Sequence, residues 1–358
     1  MKKQVVIVGG GPSGAYLALL LQRQVKSSDT FITVINKRER SLWLPATPRN
    51  LVEDMTEQLS GPLDRLFEGN SECGRVITDE VVSVGEKSVT LVSGTVLPFD
   101  VLVIATGSKW SSFVDAPDSH ADVVKHFAEY RKKVADAKTI VAVGGGSVNL
   151  ELVGEILAKY PKKNVYLVHS GEHVLKDLYP LKTRIKTEKI LQKLGAKILL
   201  NTRAEIVPGG VRLSTGETLE ADLVVPTTSA KRNTDFLPPN WLAEDGSVLV
   251  NLKLQSTVRP DVFAVGDVAD LPEERQLAKL EAHLNVLTPN VAAYLAGVPL
   301  PKTYVVGKEA LGMTFGPHNA SGAAKMPLFG FVGIPGPMIL SLKGKDLMTG
   351  KHRSRLHY

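Results

Sequence analysis

Two glycine runs carry the spacing most capable of chemistry. The first, Gly9-Gly10-Gly11-Pro12-Ser13-Gly14, follows the apolar run Val5–Val8 and precedes AYLALLLQ. The second, Gly144-Gly145-Gly146-Ser147-Val148-Asn149, follows Ile140–Val143 and precedes LELVGEI. A G-x-G-x-x-G segment between a strand and a helix is built for a dinucleotide diphosphate. Its first glycine permits a tight turn, its second lets the backbone approach the phosphates, and its third lets helix and strand pack closely. The helix N-terminus then offers free N–H groups and the positive end of a dipole. The first run fits this pattern at Gly9, Gly11 and Gly14, with Pro12 and Ser13 between. The second keeps Gly144 and Gly146 but has Asn149 where a small residue is usual.

An acid normally ends the next strand and accepts bonds from both ribose hydroxyls. Here FITVIN ends at Asn36, followed by Lys37, Arg38 and Arg40. Asparagine can still bond a ribose through its carbonyl and amide without carrying a charge. Two readings stand: Asn36 is a neutral ribose partner beside a solvated basic run, or the adjacent Lys37, Arg38 and Arg40 read a 2′-phosphate. The corresponding run in the second half, NVYLVHS, ends at His169-Ser170. That neutral end admits NADH or NADPH, or marks a loop that has lost its ligand.

Other chemistries are poorly served. The single cysteine, Cys73, allows neither an internal disulfide nor a Cys-x-x-Cys pair, and no metal-ligand spacing is present. A reducing, cytoplasmic compartment is expected. Forty-three basic and 37 acidic residues leave a net charge of +6. That favours anionic ligands or an anionic membrane surface and is too small to argue for nucleic acid. The opening Met1-Lys2-Lys3 runs straight into strand residues, so neither a signal peptide nor a myristoylation signal is expected. The apolar stretch Met326–Leu342 is broken by Pro327, Pro335 and Pro337 and is too short to span a membrane. It reads as core strands and turns, an acceptor tunnel or a membrane-touching patch. The closing KGKDLMTGKHRSRLHY reads as a solvated tail or a segment against anionic lipid.

The elements that must position these loops repeat. VTLVSGTVLPFDVLVIATG (89–107) aligns without gaps on VRLSTGETLEADLVVPTTS (211–229), each a hairpin with a Ser/Thr-Gly turn before a buried run. Pro226 and Ser229 depart from the first copy. Two glycine-loop βα starts, each followed by such a hairpin, imply two Rossmann-like α/β domains with parallel sheets. A third strand–turn, DVFAVGDVAD (261–270), implies that the second domain is inserted in the first. The expected boundaries are 1–110 and 253–300 for the first domain, 111–252 for the second, and 301–358 for a small C-terminal α+β unit.

GGGPSG, VLVIATGS (101–108), VAVGGGSVNLELVGEI (141–156), RNTDFL (232–237) and VFAVGDVAD (262–270) together resemble the FAD-dependent pyridine-nucleotide oxidoreductases. Within them the chain is most similar to the apoptosis-inducing-factor-like branch, which includes ferroptosis suppressor protein and is related to type II NADH dehydrogenases. The resemblance implies that Gly9, Gly11, Pro12, Ser13 and Gly14 hold the FAD diphosphate, with Asn36 and Lys37 at its adenosine ribose. It places Arg49 in a flavin-side segment, Thr106 and Gly107 along the FAD site, and Gly266 and Asp267 at the ribityl chain. Gly144 and Gly146 would approach the diphosphate of NADH or NADPH. Glu151 would lie near the flavin–nicotinamide contact, and His283 in a helix facing the flavin. The implied reaction is hydride transfer from NAD(P)H through flavin to a quinone-like small-molecule acceptor. Implied partners besides the acceptor are a membrane surface and a second copy of the chain. Two other readings stay open: a flavoenzyme of specialised metabolism with reduced NAD(P)H use, and a flavin-stabilised membrane- or DNA-binding signalling protein.

Overall fold

The structure is a computed structural model that describes residues 1–227, 230–307, 309–326, 328–343 and 345–358. Ser229 and Pro327, singled out above, lie outside the described residues.

The first unit opens with β1 (Lys3–Val8), α1 (Pro12–Leu21) and β2 (Thr30–Asn36). It continues through β3 (Gly74–Thr78), a small antiparallel sheet of β4 (Val81–Val84), β5 (Ser88–Leu91) and β6 (Val96–Pro98), and then β7 (Val101–Ile104). The last four residues of β1 and all of β7 are buried, as expected for parallel strands covered on both faces. Helix α1 buries Tyr16, Leu17, Ala18, Leu19 and Leu21, so it is apolar nearly all round. It lies between the sheet and later elements of the chain.

Helix α2 (His120–Asp136) leads into the second unit, and its N-cap Ser119 accepts the Asp122 N–H. There β8 (Thr139–Val143), α3 (Ser147–Lys159), β9 (Asn164–Val168), α4 (Leu181–Leu194) and β10 (Lys197–Leu199) repeat the plan. A second antiparallel trio follows, β11 (Ala204–Val207), β12 (Gly210–Leu213) and β13 (Thr218–Glu220), and then β14 (Leu223–Pro226). The turns of the aligned hairpins both use a left-handed glycine, Gly94 at φ 83° and Gly216 at φ 92°. The second sheet runs β10-β9-β8-β14, all parallel. Pro226 ends β14 opposite Val143 rather than interrupting it. Because β14 is an edge strand, the missing N–H is tolerated there.

The first sheet gains one more strand, β15 (Val262–Ala264), in the order β15-β7-β1-β2-β3. The chain therefore leaves the first sheet after β7, builds the second, and returns. The two crossings are zipped together: Ser108 pairs with Arg232 and Lys109 with Lys231. Helix α5 (Leu280–Ala296) follows and packs on α1. The remainder forms the antiparallel β16 (Ala310–Phe315), β17 (Asn319–Met326) and β18 (Gly330–Gly333), then α6 (Gly336–Lys343) and α7 (Thr349–Arg355). This sheet packs on α3 and α4, so close that a Cβ on Gly154 would lie 2.5 Å from Phe315.

The closing basic segment is not a solvated tail. Its helix α7 docks on the first unit, where His352 and Leu356 are buried. Tyr16 Oη lies 2.7 Å from His352 Nδ1, and Trp43 stacks on the same ring at 4.8 Å. Apolar and aromatic residues spaced along a basic stretch bury one face and leave the charges outside. Arg355 pairs with Glu281 at 3.0 Å.

Candidate functional site

In the first loop Gly9 has φ 109°, and a Cβ there would sit 2.4 Å from the Ala105 carbonyl oxygen. A Cβ on Gly14 would lie 1.8 Å from the Gly9 oxygen, because α1 crosses the loop at contact distance. Gly11 faces open space, and α1 begins there with no side-chain cap. Bare backbone and an uncapped helix N-terminus suit a diphosphate. Asn36 bridges the loop to the chain beyond it: its Oδ1 accepts the Gly10 N–H at 2.8 Å and its amide donates to the Arg38 carbonyl at 2.6 Å. The basic run is not simply solvated. Lys37 lies 3.3 Å from Asp118, while Arg38 donates to the carbonyls of Ala116 and Pro117.

The second loop copies this geometry with one change. Gly144 has φ 108°, and Gly146 faces open space at the uncapped start of α3. His169 Nδ1 accepts the Gly145 N–H at 3.2 Å, as Asn36 does for Gly10. In place of a third glycine, the buried Asn149 donates its amide to the carbonyls of Val143 and Gly144 at 2.9 and 3.0 Å. The residue that breaks the sequence pattern is thus a hydrogen-bonded brace between strand end and helix.

The turn at Gly266 (φ 78°) abuts the first loop; a Cβ on Gly266 would lie 2.6 Å from Ser13 Oγ. Ser13, Asp267, Glu273, Gln276 and His283 line one cavity there. Burial pushes the Asp267 carboxyl upward, opposed by the Arg232 charge, the Ser108 hydroxyl and the Arg275 charge. Arg232 also donates to Ser108 at 2.8 Å, and Arg275 to the Asp267 carbonyl at 3.1 Å. His283 is buried, with Nε2 2.8 Å from Glu273, and its Nδ1 has no partner among the described residues. Burial would raise the Glu273 carboxyl, but bonds from His283 and Tyr304 and the Lys279 charge hold it below its ordinary value. Lys279 also reaches Glu309 at 2.6 Å, closing a buried charge network beneath the cavity.

Thr106 and Gly107 stand at the crossing between units. Thr106 Oγ1 donates to the Asn233 carbonyl at 2.7 Å, and the Asn233 N–H donates to Gly107 at 3.1 Å. Glu151 and Glu155, one turn apart on α3, are both buried. Glu151 accepts from Lys343 at 2.5 Å and from the Thr314 N–H at 3.1 Å. Glu155 accepts from Arg49 Nη2 and Nε at 2.9 and 3.1 Å. One carboxylate therefore ties α3 to the C-terminal unit and the other ties it to the first unit. Glu151 is not among the residues lining the cavity of Asp267 and His283. Among the described residues, no group of three or more His, Cys, Asp or Glu could hold a metal ion. No described helix is long and apolar enough to cross a membrane.

Several residues of this site had no local signal. Glu273, Lys279, Tyr304 and Glu309 look like ordinary charged or loop residues in sequence. Arg232 sits inside RNTDFL, but nothing in that segment announces its reach toward Asp267.

The chain is 38% identical over 297 residues to the FAD-dependent oxidoreductase FVFD30 of Flammulina velutipes, covering 80% of this chain and 92% of that one. It is 30% identical to apoptosis-inducing factor 1 of Saccharomyces cerevisiae, covering 98% and 97%. The sulfide:quinone oxidoreductase of Aquifex aeolicus shares the fold with a TM-score of 0.81 at 18% identity, over 99% of this chain and 91% of that one. The family model described as pyridine nucleotide-disulphide oxidoreductase matches residues 3–282. With two Rossmann-like units, two glycine loops at helix starts and this likeness over most of its length, the chain belongs to the pyridine nucleotide-disulphide oxidoreductase family.

Proposed function

We propose that the chain holds FAD in its first unit and NADH or NADPH in its second, and reduces a quinone-like acceptor. The observation that carries this reading is the duplicated loop: two uncapped helix N-termini, at Gly11 and Gly146, in units whose crossings are zipped side by side. Bound FAD would supply the two-electron chemistry between nicotinamide and acceptor.

The chain's own residues position and protect that chemistry. Gly9, Gly11, Pro12, Ser13 and Gly14 cradle the diphosphate, with Asn36 and Lys37 at the adenosine end. Asp267, when ionised, accepts hydroxyl hydrogens, and Arg232 and Arg275 favour that ionised form. Thr106 and Gly107 line the passage between the units, and Gly144 and Gly146 bind the second diphosphate. Arg49 and Glu155 hold α3 against the first unit. His283 is the proton-bearing candidate at the cavity, with Glu273 fixing its Nε2 side and Nδ1 left to meet a ligand. Glu151 with Lys343 is the second candidate pair. The lone, buried Cys73 offers no dithiol relay, so bound FAD would have to serve a diffusible acceptor without one.

The C-terminal unit suits a lipid-soluble acceptor. Eight of the 43 basic and two of the 37 acidic residues lie in 301–358, so the whole surplus of +6 is there. Leu328 and Phe329, at the turn between β17 and β18, are 89% and 78% exposed. An exposed apolar tip on a unit of net positive charge favours an anionic membrane surface. The reading is tested by anaerobic titration of the FAD-loaded protein with NADH and NADPH, then a quinone. Flavin bleaching and reoxidation are expected. Failure to take up FAD, or flavin left oxidised by both nicotinamides, sinks it.

A further inference from the structure

The last residues, 345–358, reach across several elements of the first unit. The Arg49 guanidinium donates to the Lys345 carbonyl at 3.0 Å, and the Trp43 indole N–H donates to the Leu347 carbonyl at 2.8 Å. Tyr16 Oη lies 2.7 Å from His352 Nδ1, Arg353 donates to the Glu57 carbonyl at 3.3 Å, and Arg355 pairs with Glu281 at 3.0 Å. Leu347, His352 and Leu356 are the buried anchors. The elements gripped in this way carry residues assigned above to the first site. Helix α1 holds Pro12, Ser13 and Gly14 one turn before Tyr16. The segment of Trp43 also holds Arg49. Helix α5 begins at Leu280, next to Glu281, and Leu280 lines the cavity of Ser13, Asp267 and His283.

Three properties make this clasp a closure rather than a fixed wall. Helix α7 has seven residues, too few to stay helical in water without the surface it docks on. The hinge before it, Leu347 and Met348, sits at φ 51° and 65°. Residues with a Cβ disfavour that left-handed region, so the hinge keeps it only while docking imposes it. The segment also carries four basic residues and one acid, a charge that favours closing on a unit that holds an anion. We propose that clasp docking and FAD retention are coupled: residues 345–358 close on the first unit when FAD is bound and must let go before FAD leaves. This rests on the reading that the first unit binds FAD. The coupling is reciprocal, so the clasp slows FAD loss and FAD holds the clasp shut.

The test uses the full chain and two readouts that need no turnover. Hydrogen exchange over 345–358 is compared between the FAD-loaded protein and the same protein stripped of FAD, with β8 as the reference for global folding. Without FAD the clasp should exchange at least about tenfold faster while β8 stays protected. FAD release after dilution is then followed by flavin fluorescence. Leu356→Asp puts a carboxylate at a buried anchor and should speed release at least about tenfold. Arg355→Glu sets like charges against each other at Glu281 and should speed release about two- to fivefold, the scale of one exposed ion pair. Adding Glu281→Arg to that variant should restore the wild-type rate. A folded Leu356→Asp protein that keeps FAD as long as the wild type overturns the proposal, and so does clasp exchange indifferent to FAD with β8 intact. Should Leu356→Asp fail to fold, or β8 lose protection with the clasp, the charge pair decides: an unmoved rate in Arg355→Glu, or no recovery in the double variant, overturns it. Each of these leaves FAD binding intact, whereas a wild-type chain that takes up no FAD removes the proposal together with the reading beneath it.

Discussion

The two nucleotide units share one plan and close it differently. Their sheets correspond strand for strand, β7-β1-β2-β3 to β14-β8-β9-β10. The first closes its loop by absence: Gly14 has no side chain, and α1 rests on the Gly9 carbonyl. The second closes by presence, with Asn149 filling the gap and bonding two carbonyls of the strand end. The first unit also collects remote chain. Strand β15 extends its sheet, α5 covers α1, and the C-terminal Tyr358 ring occupies the space a Cβ on Gly61 would need. The second sheet is built only from residues 139–226, one continuous stretch. The same strand-to-helix turn is thus closed in two ways, by a missing side chain in one unit and by a bonded one in the other.

The sharpest way to break this comparison is to exchange the two closing residues. Gly14→Asn should abolish FAD retention, because its Cβ alone would lie 1.8 Å from backbone. Flavin absorbance after gel filtration checks it; a variant that stays yellow and fully folded would remove the distinction between the loops.

Next in size is the link between units. Glu155→Ala removes the carboxylate that accepts from Arg49 at 2.9 and 3.1 Å in a buried setting. A loss of about 3–5 kcal/mol in unfolding free energy is expected. Glu155→Gln should recover part of it, and denaturant melts of both variants measure the difference.

The C-terminal clasp, found only on the first unit, should be acid-sensitive. Burial pulls His352 down to about 4. Its unfolded value is about 6.5, so between these pH values the unfolded chain binds more protons. Stability from this group is whole above about pH 6.5 and is lost as the pH falls toward 4, by up to roughly 3 kcal/mol. Thermal melts across that window should show the slope, and His352→Gln should flatten it. A slope unchanged in the variant would locate the titration elsewhere.

The smallest effect belongs to the brace. Asn149→Ala leaves the carbonyls of Val143 and Gly144 without its amide and should cost about 2 kcal/mol. FAD retention should survive while nicotinamide binding weakens. Equal loss of both ligands would mean that the two loops are not independent.

Much of this architecture was legible beforehand because it is written in local pattern. Glycine runs between apolar stretches marked the two loops, and the aligned hairpins marked the duplication. The third strand–turn, VFAVGDVAD after the second copy, marked the return to the first sheet. Asn149 was legible only as a departure, since its amide finds its partners through the fold. The charge network under His283 was not legible at all. Its members come from the 273–279 loop, α5 and residues 304–309, and they meet because the chain beyond α5 returns to the loop before it. Likewise nothing local tells Glu151 from Glu155; the neighbours that packing supplies, Lys343 and Arg49, separate them.

By itself, then, the sequence determined where the chain turns tightly, which runs are buried, and that one nucleotide-binding plan is used twice. Those properties follow from glycine's freedom of backbone and from the period of apolar residues, both confined to short windows. Only the tertiary structure decided which carboxylates are paired, that His169 takes the Gly145 N–H, and that the basic C-terminus is a buried clasp. Such outcomes depend on the distance between residues far apart in the chain, and on the removal of water from around them.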